Sequence, residues 1–211
     1  VTGLIRHYSR LAAFKPDGAW YVRYDYITLA DGSVKPAFYT VPINRSLGNE
    51  ALGQVQLVLN SPRTLCGGSL YEWKNNSSYT ANLTSDERQA RRISDRIFDT
   101  LSAFDPAQCL CFDDNEAQEY YIVCGQKALV HNYASDAWYV YTGFGQTAMV
   151  RHKGDLFCGD SSGRLKLVSD DYNDDDGTAI NAKWETGSMD FGTSAREKYF
   201  AEVFLSCSPA S

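Results

Sequence analysis

A strand–turn–strand unit that occurs four times narrows the fold of this chain more than any other feature. Residues 11–14 lead through Lys15-Pro-Asp-Gly18 into 19–24, and 63–66 lead through Gly67-Gly68 into 69–73. Residues 121–124 lead through Gly125-Gln-Lys127 into 128–133, and 156–158 lead through Gly159-Asp-Ser-Ser-Gly163 into 164–168. A short apolar strand, a glycine-containing turn and a second strand of near-alternating pattern are the sequence signal of a β-hairpin. Glycine suits such turns because it takes positive φ without steric cost. Three of the units carry Cys-Gly at the same place, at 66–67, 124–125 and 158–159. That recurrence is expected where equivalent positions of neighbouring sheets pack side by side.

A single hairpin cannot bury its apolar face, so such units must pack against one another. Their spacing of 34 to 58 residues, counted from Phe14 to Cys66, Cys124 and Cys158, overlaps the ~40–50 residues of a propeller blade. Further strand candidates lie between them at 26–29, 38–41, 54–59, 137–141 and 182–184, with Asp31-Gly32 as a tight turn. About four strands per unit is what a blade requires. The aromatic content points the same way, since 14 Tyr, 10 Phe and 4 Trp favour a pleated, half-buried surface. The expected fold is all-β: a β-propeller or partial propeller of repeated antiparallel blades over residues 1–180, with strands of the same domain at 181–211. Unrelated hairpins in a β-sandwich are the alternative.

One segment departs from the pattern. Thr84-Ser-Asp-Glu87 is a capping box, and Ala90, Ile93, Ile97 and Leu101 follow at helical spacing. A single helix of about four turns is predicted over residues 85–102. Its other face would carry Arg88, Arg91, Arg92, Asp95 and Arg96, either as a solvated surface or as a docking face for an acidic partner, with the four arginines as the candidate contacts.

Charge and motifs exclude several function classes. The net charge is −6, at +2 over residues 1–105 and −8 over 106–211, which lacks the basic footprint of a sequence-specific nucleic-acid binder. No apolar run approaches the ~20 residues of a membrane-spanning helix. There is no G-x-S-x-G elbow, H-E-x-x-H pair, Walker loop or dinucleotide-binding glycine motif, so no catalytic or cofactor-binding residue is assigned and the chain is expected not to be an enzyme. Cys66, Cys124 and Cys158 each end a short apolar strand, which suits reduced, buried thiols. Cys109 and Cys111 form a C-x-C without the second pair that a zinc site needs. The acidic loop at 170–177 offers Asp171, Asn173 and Asp175 as candidate calcium ligands. Gly177 falls one place late for an EF-type turn and Ala182 stands where a bidentate Glu belongs, so a solvated turn is expected and no metal.

Two stretches carry a family resemblance. The first is Arg92-Ile-Ser-Asp-Arg-Ile-Phe-Asp-Thr-Leu101, followed by Cys111-Phe-Asp-Asp-Asn-Glu116, Glu119-Tyr-Tyr-Ile-Val123 and Val130-His-Asn-Tyr-Ala-Ser-Asp-Ala-Trp-Tyr139. The second is Asp175-Asp-Gly177, Ile180, Trp184-Glu-Thr-Gly187 and Met189-Asp-Phe-Gly192, ending at Arg196-Glu-Lys198. In this order they resemble propeller-type virion proteins of tailed phages and prophages. The resemblance implies a structural component of the tail hub, neck or tail adaptor, akin to packaged-DNA stabilisation proteins. It implies other virion subunits as partners, self-association, and assembly in the host cytoplasm, and it brings no enzymatic residues. The alternative is a carbohydrate-binding or glycan-cleaving propeller in which Trp20, Trp73, Trp138 or Trp184 stacks on sugar rings.

Overall fold

The computed structural model describes residues 1–7, 9–74, 90–169, 171–172, 174–183, 185, 192, 197–199, 202 and 204. The chain divides into a compact unit over Val1–Val168 and a second over Ser169–Ser211. Strands dominate, at 55% against 6% helix, and the fold is all-β with antiparallel sheets, none of them closed.

The first unit is a succession of up-and-down sheets, each made from one contiguous stretch of chain. Sheet I holds β1 (Gly3–His7), β2 (Arg10–Lys15), β3 (Gly18–Thr28) and β4 (Val34–Asn44). Sheet II holds β5 (Gln56–Val58), β6 (Ser61–Cys66), β7 (Ser69–Trp73) and β8 (Ala90–Arg92). Sheet III holds β9 (Leu110–Asp114), β10 (Glu119–Cys124), β11 (Lys127–Asn132) and β12 (Ala137–Thr142). Sheet IV holds β13 (Gln146–His152), β14 (Asp155–Asp160) and β15 (Leu165–Val168). In the second unit, β16 (Asp174–Asp175) and β17 (Thr178–Ala179) pair across Asp176-Gly177, both at positive φ.

Successive sheets pack face to face, and the alternation of side chains along each strand explains how. Ala12, Phe14, Ala19 and Tyr21 of sheet I close on Trp73 of sheet II. Val58, Leu65 and Leu70 of sheet II meet Cys111, Tyr120, Ile122 and Leu129 of sheet III. Tyr121, Val123, Ala128 and Val130, on the opposite face of sheet III, meet Leu156 and Cys158 of sheet IV. Tyr120 through Val123 are therefore all buried, because β10 is covered on both faces. A strand in that position must be a continuous apolar run, whichever face each residue takes.

The four hairpins expected from the sequence are β2–β3, β6–β7, β10–β11 and β14–β15. The Cys-Gly equivalence holds for two of its three members. Cys66 and Cys124 end their strands, and Gly67 and Gly125 open two-residue turns at φ 56° and 57°. Cys158 pairs inside β14 with Met149 and Lys166, and Gly159 continues that strand. A longer turn, 161–164, reverses the chain there.

The helix predicted over 85–102 is corrected. Ala90–Arg92 is strand β8, paired with Tyr71–Trp73; Asp95–Ile97 is a single 3-10 turn, and the α-helix, α1, spans only Phe98–Ser102. Extending 90–92 satisfies the edge of β7, whose backbone groups would otherwise lack partners on that side. The apolar stripe still reaches the core, with Ile93 and Ile97 packed against the junction of sheets II and III and Leu101 buried in it. The capping box at 84–87 lies outside the described residues.

Candidate functional site

The arginines singled out from sequence do not share a helix face. Arg91 and Arg92 lie on β8 and Arg96 on the 3-10 turn, while Arg88 is outside the described residues. Arg92 donates to the Asp95 carboxylate and lies 5.5 Å from the Phe98 ring centre. Arg96 pairs with Asp136 at 3.0 Å and also donates to its backbone carbonyl at 3.1 Å. The shallow cleft of about 420 Å³ beside them includes Asp95 and Asp99, so it presents mixed charge rather than a basic face.

Of the calcium candidates, Asn173 lies outside the described residues. The Asp171 carboxylate accepts from Ser169 at 3.2 Å, and Asp175 lies in β16 opposite Thr178. Asp174 takes the turn-forming role, accepting from the Gly177 N–H at 2.8 Å. Among the described residues, no group of three or more His, Cys, Asp or Glu is placed to hold a metal ion. Among them also, no helix is long and apolar enough to cross a membrane. Cys66, Cys109, Cys111, Cys124 and Cys158 are free thiols. Burial raises the Cys111 thiol to about 12 and the Cys158 thiol to about 11, so neither is nucleophilic near neutrality.

Buried ionisable groups sit at the sheet junctions, where sequence reasoning did not place them. Between sheets I and II, His7 stacks on Tyr21, whose hydroxyl lies 2.9 Å from Nδ1. Between sheets III and IV, Arg151 pairs with the fully buried carboxylate of Asp114 and reaches Glu116 at 3.3 Å. The largest cluster lies between sheets II and III. Arg63, 3% exposed, donates to His131 Nδ1 at 3.1 Å, lies 3.8 Å from the buried Glu72, and sits 5.2 and 5.4 Å from the ring centres of Tyr120 and Tyr133.

Since Arg63 donates to Nδ1, the proton of neutral His131 is on Nε2 and bonds to Asp136 at 3.1 Å. His131 stacks on Trp138 at 4.5 Å, and burial lowers its pKa, so it is neutral near pH 7. Burial also raises Asp113 to about 6, although the nearby Arg63 opposes the shift. These groups are turned toward each other inside a packed junction, so their chemistry is that of a structural clasp. No sequence motif marks it: Arg63 and His131 lie 68 residues apart.

The accessible chemistry lies on sheet faces. Strand β2 pairs with β3 only as far as Val22, whereas β3 and β4 continue to Thr28 and Val34. The remainder projects as a two-stranded ribbon. Its face continues that of Trp20 and Val22, and there Tyr24, Tyr26 and Phe38 are 60%, 68% and 76% exposed, with the Tyr24 and Phe38 rings 4.9 Å apart. Leu4 and Leu11 are exposed on the same side of sheet I. At the other end, Val150, Leu165 and Leu167 are exposed on the face of sheet IV turned away from sheet III. Contiguous exposed apolar surface of this kind marks interaction sites rather than ordinary solvated surface.

Of the four tryptophans, Trp73 is buried and donates to Thr64 at 2.8 Å. Trp138 is half-buried on His131, and Trp184 is outside the described residues. Trp20 is half-buried beside a shallow cleft of about 320 Å³ that includes Asp17, Thr40 and Arg45.

No family model matches this chain, and no curated protein matches its sequence.

Proposed function

We propose that this chain is a structural component of a tailed-phage or prophage particle, acting in the tail hub, neck or tail adaptor as a rigid protein–protein scaffold built of propeller-type blades. The observation that carries the reading is the architecture: consecutive up-and-down sheets stacked face to face, ending in uncovered apolar faces and a projecting aromatic ribbon. Stacked sheets make a stiff body, and stiffness with exposed aromatic surface is what an assembly part needs. The ionisable groups that are buried serve the sheet junctions, which supports a non-catalytic role. The resemblance also gains coherence. Residues 111–116, 119–123, 130–133 and 136–139 fall on successive strands and turns of sheet III, so that motif order is the order of one antiparallel sheet.

Partners are then other virion subunits, and assembly occurs in the host cytoplasm before the particle is released. Immunogold labelling of particles from cells carrying the gene tests this. Label at one vertex or along the tail is expected; particles free of label and of the chain by mass spectrometry would overturn it.

One observation favours a second reading, a carbohydrate-binding blade: Trp20 sits beside Asp17, Thr40 and Arg45 in an open cleft. Glycan-array binding lost on Trp20→Ala, with the fold intact, would favour that reading over the first.

A further inference from the structure

Two of the free thiols stand across from each other at one corner of sheet III. Strands β9 and β10 pair antiparallel from Asp114 with Glu119 to Leu110 with Val123. One step further along the same ladder sets Cys109 opposite Cys124. Cys109 is extended there, at φ −79° and ψ 136°, so it keeps the backbone of the strand it leads into. Side chains alternate along a strand, and these two fall on the same face as Cys111, Tyr120 and Ile122, in the cluster shared with sheet II. Residues directly opposite in an antiparallel pair have Cα atoms about 4.5–5.5 Å apart, inside the ~4.4–6.8 Å that a disulfide spans. The sulfurs converge as well. Cys109 Sγ donates to the Asp105 carbonyl at 3.3 Å, and Cys124 Sγ lies 3.9 Å from that same oxygen. The other thiols are placed elsewhere. Cys111 stands opposite Ile122, and the diagonal from there to Cys124, about 7–8 Å, is too long to bridge. Cys66 donates to the Pro16 carbonyl at 3.6 Å, and Cys158 belongs to the junction of sheets III and IV.

We propose that Cys109 and Cys124 form a reversible redox-modification site, which a small glutathione-type disulfide converts into a cross-strand disulfide. The order of attack follows from exposure. Cys124 is half-buried next to the exposed turn Gly125-Gln126, whereas Cys109 is buried. Burial raises the Cys109 thiol pKa, and Cys124 beside it adds to the shift, so Cys109 is protonated at rest. The oxidant therefore meets Cys124 first. The Cys124 thiolate attacks one sulfur of the oxidant, which forms a mixed disulfide and expels one small thiolate. Cys109 then loses its proton to water and attacks the Cys124 sulfur, forming the protein disulfide and expelling the second small thiolate. The two protons released from the protein end on the two expelled thiolates. Two protein thiols are thus oxidised while one small disulfide is reduced to two thiols. The second step is intramolecular, so Cys109 needs no access of its own to the oxidant.

The bond ties the lead-in of β9 to the end of β10. Gln54, from the segment before sheet II, donates to the Cys109 carbonyl at 3.1 Å, so the bond also braces the rim of the junction between sheets II and III. Its state follows the surroundings: open where the glutathione pool is kept reduced, closed where it is oxidised.

The test exposes the full chain, reduced and then freed of reductant, to oxidised glutathione at mildly alkaline pH. The reaction is quenched with acid, remaining thiols are alkylated, and the links are mapped by mass spectrometry. Cleavage after Glu116 and Glu119 separates Cys109 and Cys111 from Cys124. A link between the two peptides is expected, with fragment ions on either side of Leu110 placing it on Cys109. It should form at least tenfold faster in the folded chain than in urea, and dithiothreitol should undo it. The urea midpoint of the oxidised chain should rise above that of the reduced chain. Cys111→Ala should leave the link in place, while Cys124→Ala should abolish both the link and the rise. The mapping is made on the unaltered chain, so it decides even where a variant fails to fold. Cys109 or Cys124 linked to any other cysteine, glutathione retained on Cys124, all six thiols left unreacted, or a midpoint lowered by oxidation would each overturn the inference.

Discussion

Arg63→Met should be among the most damaging single changes in the first unit. The guanidinium donates to His131, faces Glu72, and lies against the rings of Tyr120 and Tyr133, all within the junction of sheets II and III. Removing one member of a buried ionic cluster costs roughly 3–5 kcal/mol, because the remaining charge stays desolvated. Glu72 keeps Lys74 at 2.9 Å, and methionine restores most of the lost volume, so the lower end of that range, about 3 kcal/mol, is expected. Urea unfolding followed by tryptophan fluorescence reads the change directly. A cycle pairing Arg63→Met with His131→Leu should give a coupling of about 1–2 kcal/mol, since residues in one network are not additive. The pH dependence adds a signature. His131 has a lowered folded pKa, so stability present above its ordinary value of 6.5 is lost as pH falls through the folded value, and His131→Leu removes that loss. A cost below about 0.5 kcal/mol for Arg63→Met, or strict additivity in the cycle, would refute the clasp, since contacting network partners couple by more than that.

Asp113→Asn should flatten stability between pH 4 and 6: the folded carboxyl is raised to about 6 from an ordinary 3.8, so the native state loses stability as pH rises through that window, and comparing urea midpoints at pH 4 and 7 measures it. Gly48→Ala should cost about 3 kcal/mol or more, because an added Cβ would stand 1.7 Å from the Lys15 carbonyl oxygen and 2.7 Å from that of Gly18, backbone that cannot move aside; thermal unfolding reads it. Leu101→Ala should cost about 2–5 kcal/mol by leaving a cavity under α1, and a loss below 1 kcal/mol would mean the short helix is not anchored there.

Much of the first unit could be read from the chain because its elements are local. Each hairpin joins neighbouring stretches, and turns such as Gly67-Gly68 carry the residues their backbone requires. The segment at 85–102 could not be resolved this way. Its spacing of Ala90, Ile93, Ile97 and Leu101 fits a helix, but the spacing records only that one side faces the core, and an extended 90–92 followed by a short helix meets the same demand. Of the strand candidate at 182–184, residues 182 and 183 take no strand pairing among the described residues, and 184 lies outside them. The clasp was hidden for another reason: an arginine inside an apolar hairpin reads as a surface residue until the partner sheet is known. The uncovered faces were equally invisible, because Tyr24, Phe38 and Leu165 look in sequence like any core strand residues.

Because each sheet of the first unit is drawn from one contiguous stretch, each can form as soon as its own 23 to 42 residues, from Gln146–Val168 to Gly3–Asn44, have left the ribosome. Sheet I needs no partner later in the chain to pair its strands, only to cover its face. Folding can then proceed as a zipper, with each new sheet docking on the one before and paying loop-closure entropy only over short distances. The same arrangement grades the native state. Sheets II and III are clamped on both sides, while I and IV are held on one, so amide hydrogens at the two ends should exchange first and the strands around Ile122 last.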